Sequence, residues 1–196
     1  MGLFDSILGR SKPAPPNLDA LFRLPTAAIT VEASLGFRPT GMGSVAFRAP
    51  AGRAFGDVQA EVQQLVAAPD LDGSPGPEVQ VTEDSFGYTW LVLQHEADDI
   101  SGLITDLHAV NSTLKDSGFG STLLCSLVLL EDDAGRRLGL VYLFKQGTFY
   151  PFVPLPEQQA RDNILELQVR DLVAAELGVE PDLQRWFALW GAPGMA

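Results

Sequence analysis

The chain has 196 residues, of which 46% are hydrophobic and 19% are charged, a composition typical of one folded domain of ordinary to large size. Its 25 acidic and 13 basic residues give a formal net charge of −12, which opposes binding to the phosphates of nucleic acids and of anionic lipids. The apolar runs fall well short of the ~20 residues that a transmembrane helix needs. The composition therefore predicts a globular protein whose partner is not a nucleic acid.

The single cysteine, Cys125, lies within an apolar run and has no partner for an internal disulfide. We expect it to be a small buried side chain in a protein suited to a reducing compartment. The first residues lack the cationic segment and the apolar core of about 7–15 residues that mark a secretory signal. These features predict a cytoplasmic protein.

Residues 1–16 are predicted to form an N-terminal amphipathic head and a proline-rich tether, and residues 17–196 are predicted to form a single α+β domain. The helix predicted in the head is shorter than about 12 residues, so it is not expected to be stable alone in water. We expect the head to dock on its own domain, on a partner, or weakly at a membrane interface through residues 1–10. Its apolar side carries Leu3, Phe4, Ile7 and Leu8.

The body is predicted to begin with a short helix and two strands. Asn17 can cap a helix that ends at Pro25. Residues 27–33 and 44–48 have the composition of strands, and the glycine-rich residues 36–43 are expected to join them as a loop.

A helix and a hairpin are predicted next. Apolar residues recur at helical spacing over about residues 54–68, which indicates an amphipathic helix. Residues 78–83 and 88–94 follow as two strands, and residues 84–87 supply the turn of the hairpin.

The second clear amphipathic helix is expected to begin at a cap formed by Asp98 or Asp99 and to end near residue 116. Its predicted buried stripe includes an amide, Asn111, which needs hydrogen-bond partners. Residues 122–130 and 137–144 are strongly apolar strands, so they are expected at the centre of the sheet.

Two further helices complete the prediction, one over residues 158–177 and a last one that starts at Pro181. The whole order predicts an α+β fold: a single antiparallel sheet built from strand pairs that alternate with helices, with the helices mainly on one face. The last helix would carry an apolar stripe of Leu183, Trp186, Phe187 and Trp190, which is expected to seal the domain rather than to receive a ligand.

Residues 145–156 combine three aromatic residues with three prolines directly after an apolar strand. Because proline fixes φ and lacks a backbone donor, we expect these prolines to end sheet pairing and to present the rings on an extended, exposed rim. This predicted aromatic rim consists of Phe149, Tyr150 and Phe152, and together with Tyr88 it is the candidate partner-binding surface.

No part of the sequence combines a nucleophile, a base and an orienting group, and the two histidines are too few for a usual zinc site. We therefore expect no enzyme activity, no metal and no cofactor. The alternative is a small-molecule-binding protein or weak enzyme, with a pocket between the sheet and the aromatic rim that uses His108, Asp106 or Lys145. For His108, a boundary position with a backbone or water partner is the simpler interpretation.

A family resemblance is carried by seven segments: residues 1–5 (MGLFD), 9–13 (GRSKP), 36–41 (GFRPTG), 86–90 (FGYTW), 105–111 (TDLHAVN), 147–152 (GTFYPF) and 186–193 (WFALWGAP). Together they resemble the actinobacterial family of PspA-associated proteins, PspAB. The resemblance spans nearly the whole chain, and none of its segments is a catalytic signature.

The resemblance implies a cytosolic accessory protein linked to PspA, the coiled-coil protein of the phage-shock or envelope-stress response. It supplies no catalytic residues. The first hypothesis is therefore a non-enzymatic adaptor that binds a PspA-like coiled-coil protein through the aromatic rim, and a chaperone-like acidic module for a partner helix is a third. The sequence does not indicate an oligomeric state.

Overall fold

The computed structural model describes residues 17–48, 55–66 and 78–195. In these ranges the α-helices are α1 (Leu24–Leu35), α2 (Phe55–Val66), α3 (Ile100–Leu114) and α4 (Asn163–Val173). The main strands are β1 (Arg38–Phe47), β2 (Gln80–Glu83), β3 (Thr89–Gln94), β4 (Leu123–Glu131), β5 (Arg137–Leu143) and β6 (Thr148–Phe152). A short hairpin follows, formed by β7 (Pro154–Leu155) and β8 (Ala160–Arg161).

The six main strands form one antiparallel sheet in the order β2-β3-β1-β4-β5-β6. The predicted α+β fold with an antiparallel sheet is confirmed, and so are the amphipathic helices α2 and α3 and the apolar strands β4 and β5 at or near the sheet centre. Within the described ranges, no helix has both the length and the apolar character needed to cross a bilayer. The head and tether, residues 1–16, lie outside these ranges, so the predicted division into head and domain stays a prediction.

Helices α1, α3 and α4 contribute to the core on one face of the sheet. Helix α3 begins at Asp99, whose carboxylate accepts the Gly102 N–H at 2.9 Å and so caps the first turn. Its apolar stripe packs closely on β1, because a Cβ at Gly43 would lie only 2.9 Å from the Leu107 side chain. Asn111 is fully buried and donates to Ser126 Oγ at 2.8 Å, which confirms its predicted structural role.

The opposite face of the sheet is covered by residues 179–195, called here the C-terminal segment, which is largely irregular. Its attachment begins with a bridge to the β6 edge, where the Glu180 N–H donates to the Phe149 carbonyl at 2.7 Å. The Trp186 ring then stacks on Tyr150 at 5.9 Å between centroids, and Met195 lies over Gly139, which has no side chain to block it. A second apolar core therefore forms on this face.

The prediction of strands over residues 27–33 is wrong, because these residues lie in α1. Pro25, expected to end a helix, stands in the first turn of α1, where a missing N–H costs nothing. The predicted glycine-rich loop over residues 36–43 is also mostly strand, since β1 begins at Arg38.

The two C-terminal helices were predicted too long. Helix α4 covers Asn163–Val173, and the predicted last helix is reduced to a single 3₁₀ turn at Leu183–Arg185. The Trp186 side chain is buried and its indole N–H donates to the Glu180 carbonyl at 3.0 Å, whereas Phe187 is 59% exposed. Contacts with the sheet thus replace helical hydrogen bonds along this segment.

The prediction of an exposed aromatic rim is wrong, because Phe149, Tyr150 and Phe152 are at most 2% exposed. They lie on β6, so alternate side chains point to opposite faces: Phe149 enters the helix-side core, and Tyr150 and Phe152 enter the second core. Pro151 does not end the pairing. The N–H and the carbonyl of Phe149 form hydrogen bonds with residues 178–180, on the side of β6 away from β5. Backbone groups two residues apart on a strand point to the same side, so the N–H that Pro151 lacks would also have pointed away from β5, and no hydrogen bond to β5 is lost.

A buried ion pair links α4 to the C-terminal segment. Arg161 Nε donates to Glu166 Oε1 at 2.9 Å, and its Nη1 donates to the Trp186 carbonyl. Its guanidinium also lies 5.1 Å from the centre of the Phe152 ring. Burial raises the pKa of Glu166, although the hydrogen bonds from Arg161 and from the Val153 N–H oppose that shift.

We predict that Arg161→Gln destabilises the fold by about 3 kcal/mol, because the buried Glu166 carboxylate loses its cation. Urea unfolding measures this, with Arg170→Gln on the exposed side of α4 as the control. The double variant Arg161→Gln, Glu166→Gln should recover part of the loss. An Arg161→Gln midpoint equal to that of the control would contradict the prediction.

Candidate functional site

An apolar groove of about 490 Å³ lies on the second face of the sheet, between the strands and the C-terminal segment. Its floor is a row of four residues in register across four strands: Trp90 on β3 pairs with Ala46 on β1, which pairs with Cys125 on β4, which pairs with Leu143 on β5. Ala46 and Cys125 are small and stand between two large side chains, so the depression forms above them.

One wall of the groove is the turn between β2 and β3, which Asp84 holds in shape. The carboxylate of Asp84 accepts the Phe86 and Tyr88 N–H groups at 2.9 and 3.0 Å, and the Trp90 indole N–H at 2.8 Å. The turn therefore presents Phe86 at its tip, where the ring is 58% exposed, while Tyr88 lines the groove half-buried.

The other wall is formed by residues 187–190 of the C-terminal segment. The Phe187 carbonyl accepts the Tyr150 hydroxyl at 2.9 Å, which fixes the backbone and leaves the Phe187 ring free to reach solvent. Burial raises the pKa of Tyr150 well above its usual value, so the phenol stays protonated and keeps donating. Phe86 and Phe187 thus stand exposed on opposite walls.

The groove holds little reactive chemistry. Burial raises the pKa of Cys125 to about 12, so its thiol is protonated at neutral pH and is a poor nucleophile. Lys145 lies at one end of the groove and is exposed. The arrangement is suited to holding an apolar group, with Lys145 in the lining and the Arg48 guanidinium 5.0 Å from the centre of the Tyr88 ring.

Comparison with known proteins identifies the family. The family model described as PspA associated protein B, PspAB, matches residues 1–194. The chain belongs to the PspAB family. No curated protein and no solved structure matches it. The predicted resemblance is therefore confirmed over nearly the whole chain.

In this PspAB family member the predicted pocket residues do not come together. The ring of His108 on α3 lies 3.3 Å from an Asp19 carboxylate oxygen and 4.9 Å from the centre of the Phe22 ring. Asp106, also on α3, accepts a hydrogen bond from His95 at 2.9 Å, and Lys145 lies at the groove on the other face of the sheet. Of the three predicted pocket residues, Lys145 lines the groove, whereas His108 and Asp106 do not.

Of the predicted partner-binding residues, Tyr88 and Tyr150 do line the groove, whereas Phe149 and Phe152 do not. Sequence reasoning missed Phe86, Trp90 and Phe187. A signal for Phe86 was present, since Asp84-Ser-Phe-Gly87 has the composition of a turn and turns lie at the protein surface. The exposure of Phe187 had no such signal, because it depends on an irregular segment.

His95 forms the clearest polar cluster of the described residues, and the cluster joins the end of β3 to α3. Its two ring nitrogens lie 3.0 Å from Asp99 and 2.9 Å from Asp106. Burial lowers the pKa of His95, but the hydrogen bonds and charges of the two carboxylates outweigh burial and raise it. The cluster is not arranged as a metal site. Within the described ranges, no group of three or more His, Cys, Asp or Glu residues is placed so that it could hold a metal ion.

The raised pKa of His95 makes the stability of this PspAB family member depend on pH. A raised folded-state pKa contributes stability that is fully present below 6.5, the ordinary pKa of a histidine side chain, and is lost as the pH rises through the folded-state pKa. Urea unfolding between about pH 5 and about pH 9 should show this loss, and His95→Gln should flatten the profile. Asp106→Asn should move the loss to lower pH. A profile identical in wild type and His95→Gln would refute the assignment.

Proposed function

We propose that this protein is a non-enzymatic accessory protein of the PspA-type envelope-stress response and that it binds a PspA-like coiled-coil protein through the groove. The family name supports the partner, because it denotes association with PspA. The observation that carries the surface is the pair of rings, Phe86 and Phe187, exposed on opposite walls of an apolar groove.

The groove suits a helical partner in three respects. A helix of a coiled coil presents apolar side chains at a regular spacing, and such side chains commonly dock in apolar grooves. Aromatic residues dominate the binding energy of many interfaces, and Phe86, Tyr88, Trp190 and Phe187 all line this one. Lys145 at one end could pair with an acidic residue beside the apolar stripe.

The cytoplasm is the compartment that fits this role, and a peripheral contact with the membrane would come from the head. The overall charge of −12 argues against broad attraction to anionic lipid. Insertion at the membrane interface would then depend on the apolar side chains of the head, Leu3, Phe4, Ile7 and Leu8.

A small apolar ligand in the same groove is the second candidate. The volume favours it, since about 490 Å³ lies within the range of about 300–1,000 Å³ that is common for ligand pockets. Catalysis is the less supported part of this alternative, because burial keeps the Cys125 thiol protonated and the Asp84 carboxylate in the groove lining is engaged by the Phe86 and Tyr88 N–H groups and the Trp90 indole N–H. A thermal-shift screen against apolar metabolites tests it, since a bound ligand raises the apparent stability.

We predict that Phe86→Ala, Phe187→Ala in the full chain weakens binding to the PspA-like protein by about 30-fold or more, which corresponds to about 2 kcal/mol. Isothermal titration calorimetry measures the affinity. The matched control is Ile164→Ala, Leu167→Ala, which removes a pair of exposed apolar side chains on α4, 74% and 36% exposed, away from the groove.

The two double variants decide between two faces of the molecule. Loss of affinity in the groove variant alone supports the proposal. Unchanged affinity in the groove variant, with loss in the α4 variant, would move the binding surface to α4 and overturn it.

A further inference from the structure

The described chain begins at the end of the sheet where the groove lies, on the opposite, helix-side face. The Asn17 carbonyl accepts the Tyr142 hydroxyl at 2.9 Å, and a Cβ at Gly147 would lie 3.7 Å from the Asn17 nitrogen. Gly147 belongs to the β5-β6 connection, and the two residues before it, Lys145 and Gln146, line the groove. The first 16 residues therefore join the body at the end of the sheet where the groove lies.

The tether is long enough to bring the head into the groove. Tyr142 faces the helix-side core, so Asn17 lies toward that side and the tether must pass around the connection at residues 145–147. To reach the groove, the tether has to pass from the helix side of the sheet to the other face, a distance of about 10 Å, the usual spacing of layers packed on a sheet. Residues 9–16 can span about 25 Å when extended, and their prolines favour an extended chain.

The head and the groove are chemically matched. The head needs an apolar surface, because Leu3, Phe4, Ile7 and Leu8 would lie on one side of a helix too short to be stable alone. The groove supplies that surface, with exposed rings on both walls. Of the charged residues in this segment, Asp5 lies in the head and Arg10 and Lys12 lie in the tether, and the groove lining carries Lys145 as well as Asp84, so the match is one of apolar surfaces and not of charge.

Covalent attachment makes even a weak contact effective. A short tether whose length matches the span to its site holds a segment there at an effective concentration of the order of 1 mM. A head that binds with a dissociation constant of about 0.1–1 mM would therefore occupy the groove for half of the time or more.

We propose that the head of this chain occupies the groove in the free protein, through Leu3, Phe4, Ile7 and Leu8, and that a PspA-like partner has to displace it. The head then acts as an autoinhibitory segment. Docking of the head stands independently of the partner, whereas displacement rests on the function proposed above.

Nuclear magnetic resonance of the full chain, without any partner, tests docking. The variant Phe4→Asp, Leu8→Asp places charges on the apolar side of the head, and Ser6→Asp, Ser11→Asp adds the same charge away from it. We expect the first variant to shift backbone amide signals of residues 84–90, 143–147 and 187–190, and the second to leave them in place. No shift in these segments, or equal shifts in both variants, would overturn docking.

Tryptophan fluorescence gives a second readout on the same variants. Two of the three tryptophans, Trp90 and Trp190, line the groove, and the head contains none. Release of the head should expose the groove to water and move the emission to longer wavelength in Phe4→Asp, Leu8→Asp alone. An unchanged emission spectrum would count against docking in the groove.

Affinity for the PspA-like protein tests displacement. Release of the head should tighten binding by about two- to tenfold, because the partner no longer competes with a tethered segment. Weaker or unchanged binding in Phe4→Asp, Leu8→Asp, with the amide shifts observed, would overturn the autoinhibitory role and leave docking intact. Absence of binding by both the wild type and the variant would reject the proposed function instead.

Discussion

The architecture depends on how the second face of the sheet is closed. Helices cover one face, and the other face carries an equally apolar surface that includes Trp90, Tyr150 and Phe152. An irregular segment covers this face, held by the Tyr150 hydroxyl, by Arg161 and by the stacked Trp186 ring. This segment does not cover the whole face, and one end of the apolar surface stays open to solvent. The groove lies there, and its wall of residues 187–190 depends on this closure.

Much of the fold follows from local patterns in the sequence. Helix α3 was predictable because its apolar residues recur at helical spacing and Asp99 caps it, and strands β4 and β5 were predictable from their continuous apolar runs. Residues 27–33 were wrongly predicted to be a strand, because Ile and Val are common in strands. In the structure they form part of α1, which packs against α3 and α4. The C-terminal segment was also misassigned, since its contacts are with the sheet.

The candidate site was less predictable than the fold. The rings at Phe149, Tyr150 and Phe152 are buried because both faces and the outer edge of β6 are covered, and a sequence does not reveal which edges are covered. The exposure of Phe86 is fixed locally by Asp84, two residues before it. The exposure of Phe187 depends on the Tyr150 hydroxyl, 37 residues earlier in the sequence, so local patterns do not reveal it. The recognition role proposed from the sequence is thus kept, and its surface moves from the β6 rings to the groove.

Hydrogen exchange of the full chain, with and without a PspA-like protein and read by mass spectrometry, tests the central claim that the groove is the recognition surface. The account predicts slower exchange in the complex for residues 84–90 and 187–190, the two walls, with little change along α4. Protection confined to α4 or to the outer side of α1, with both walls unaffected, would contradict it.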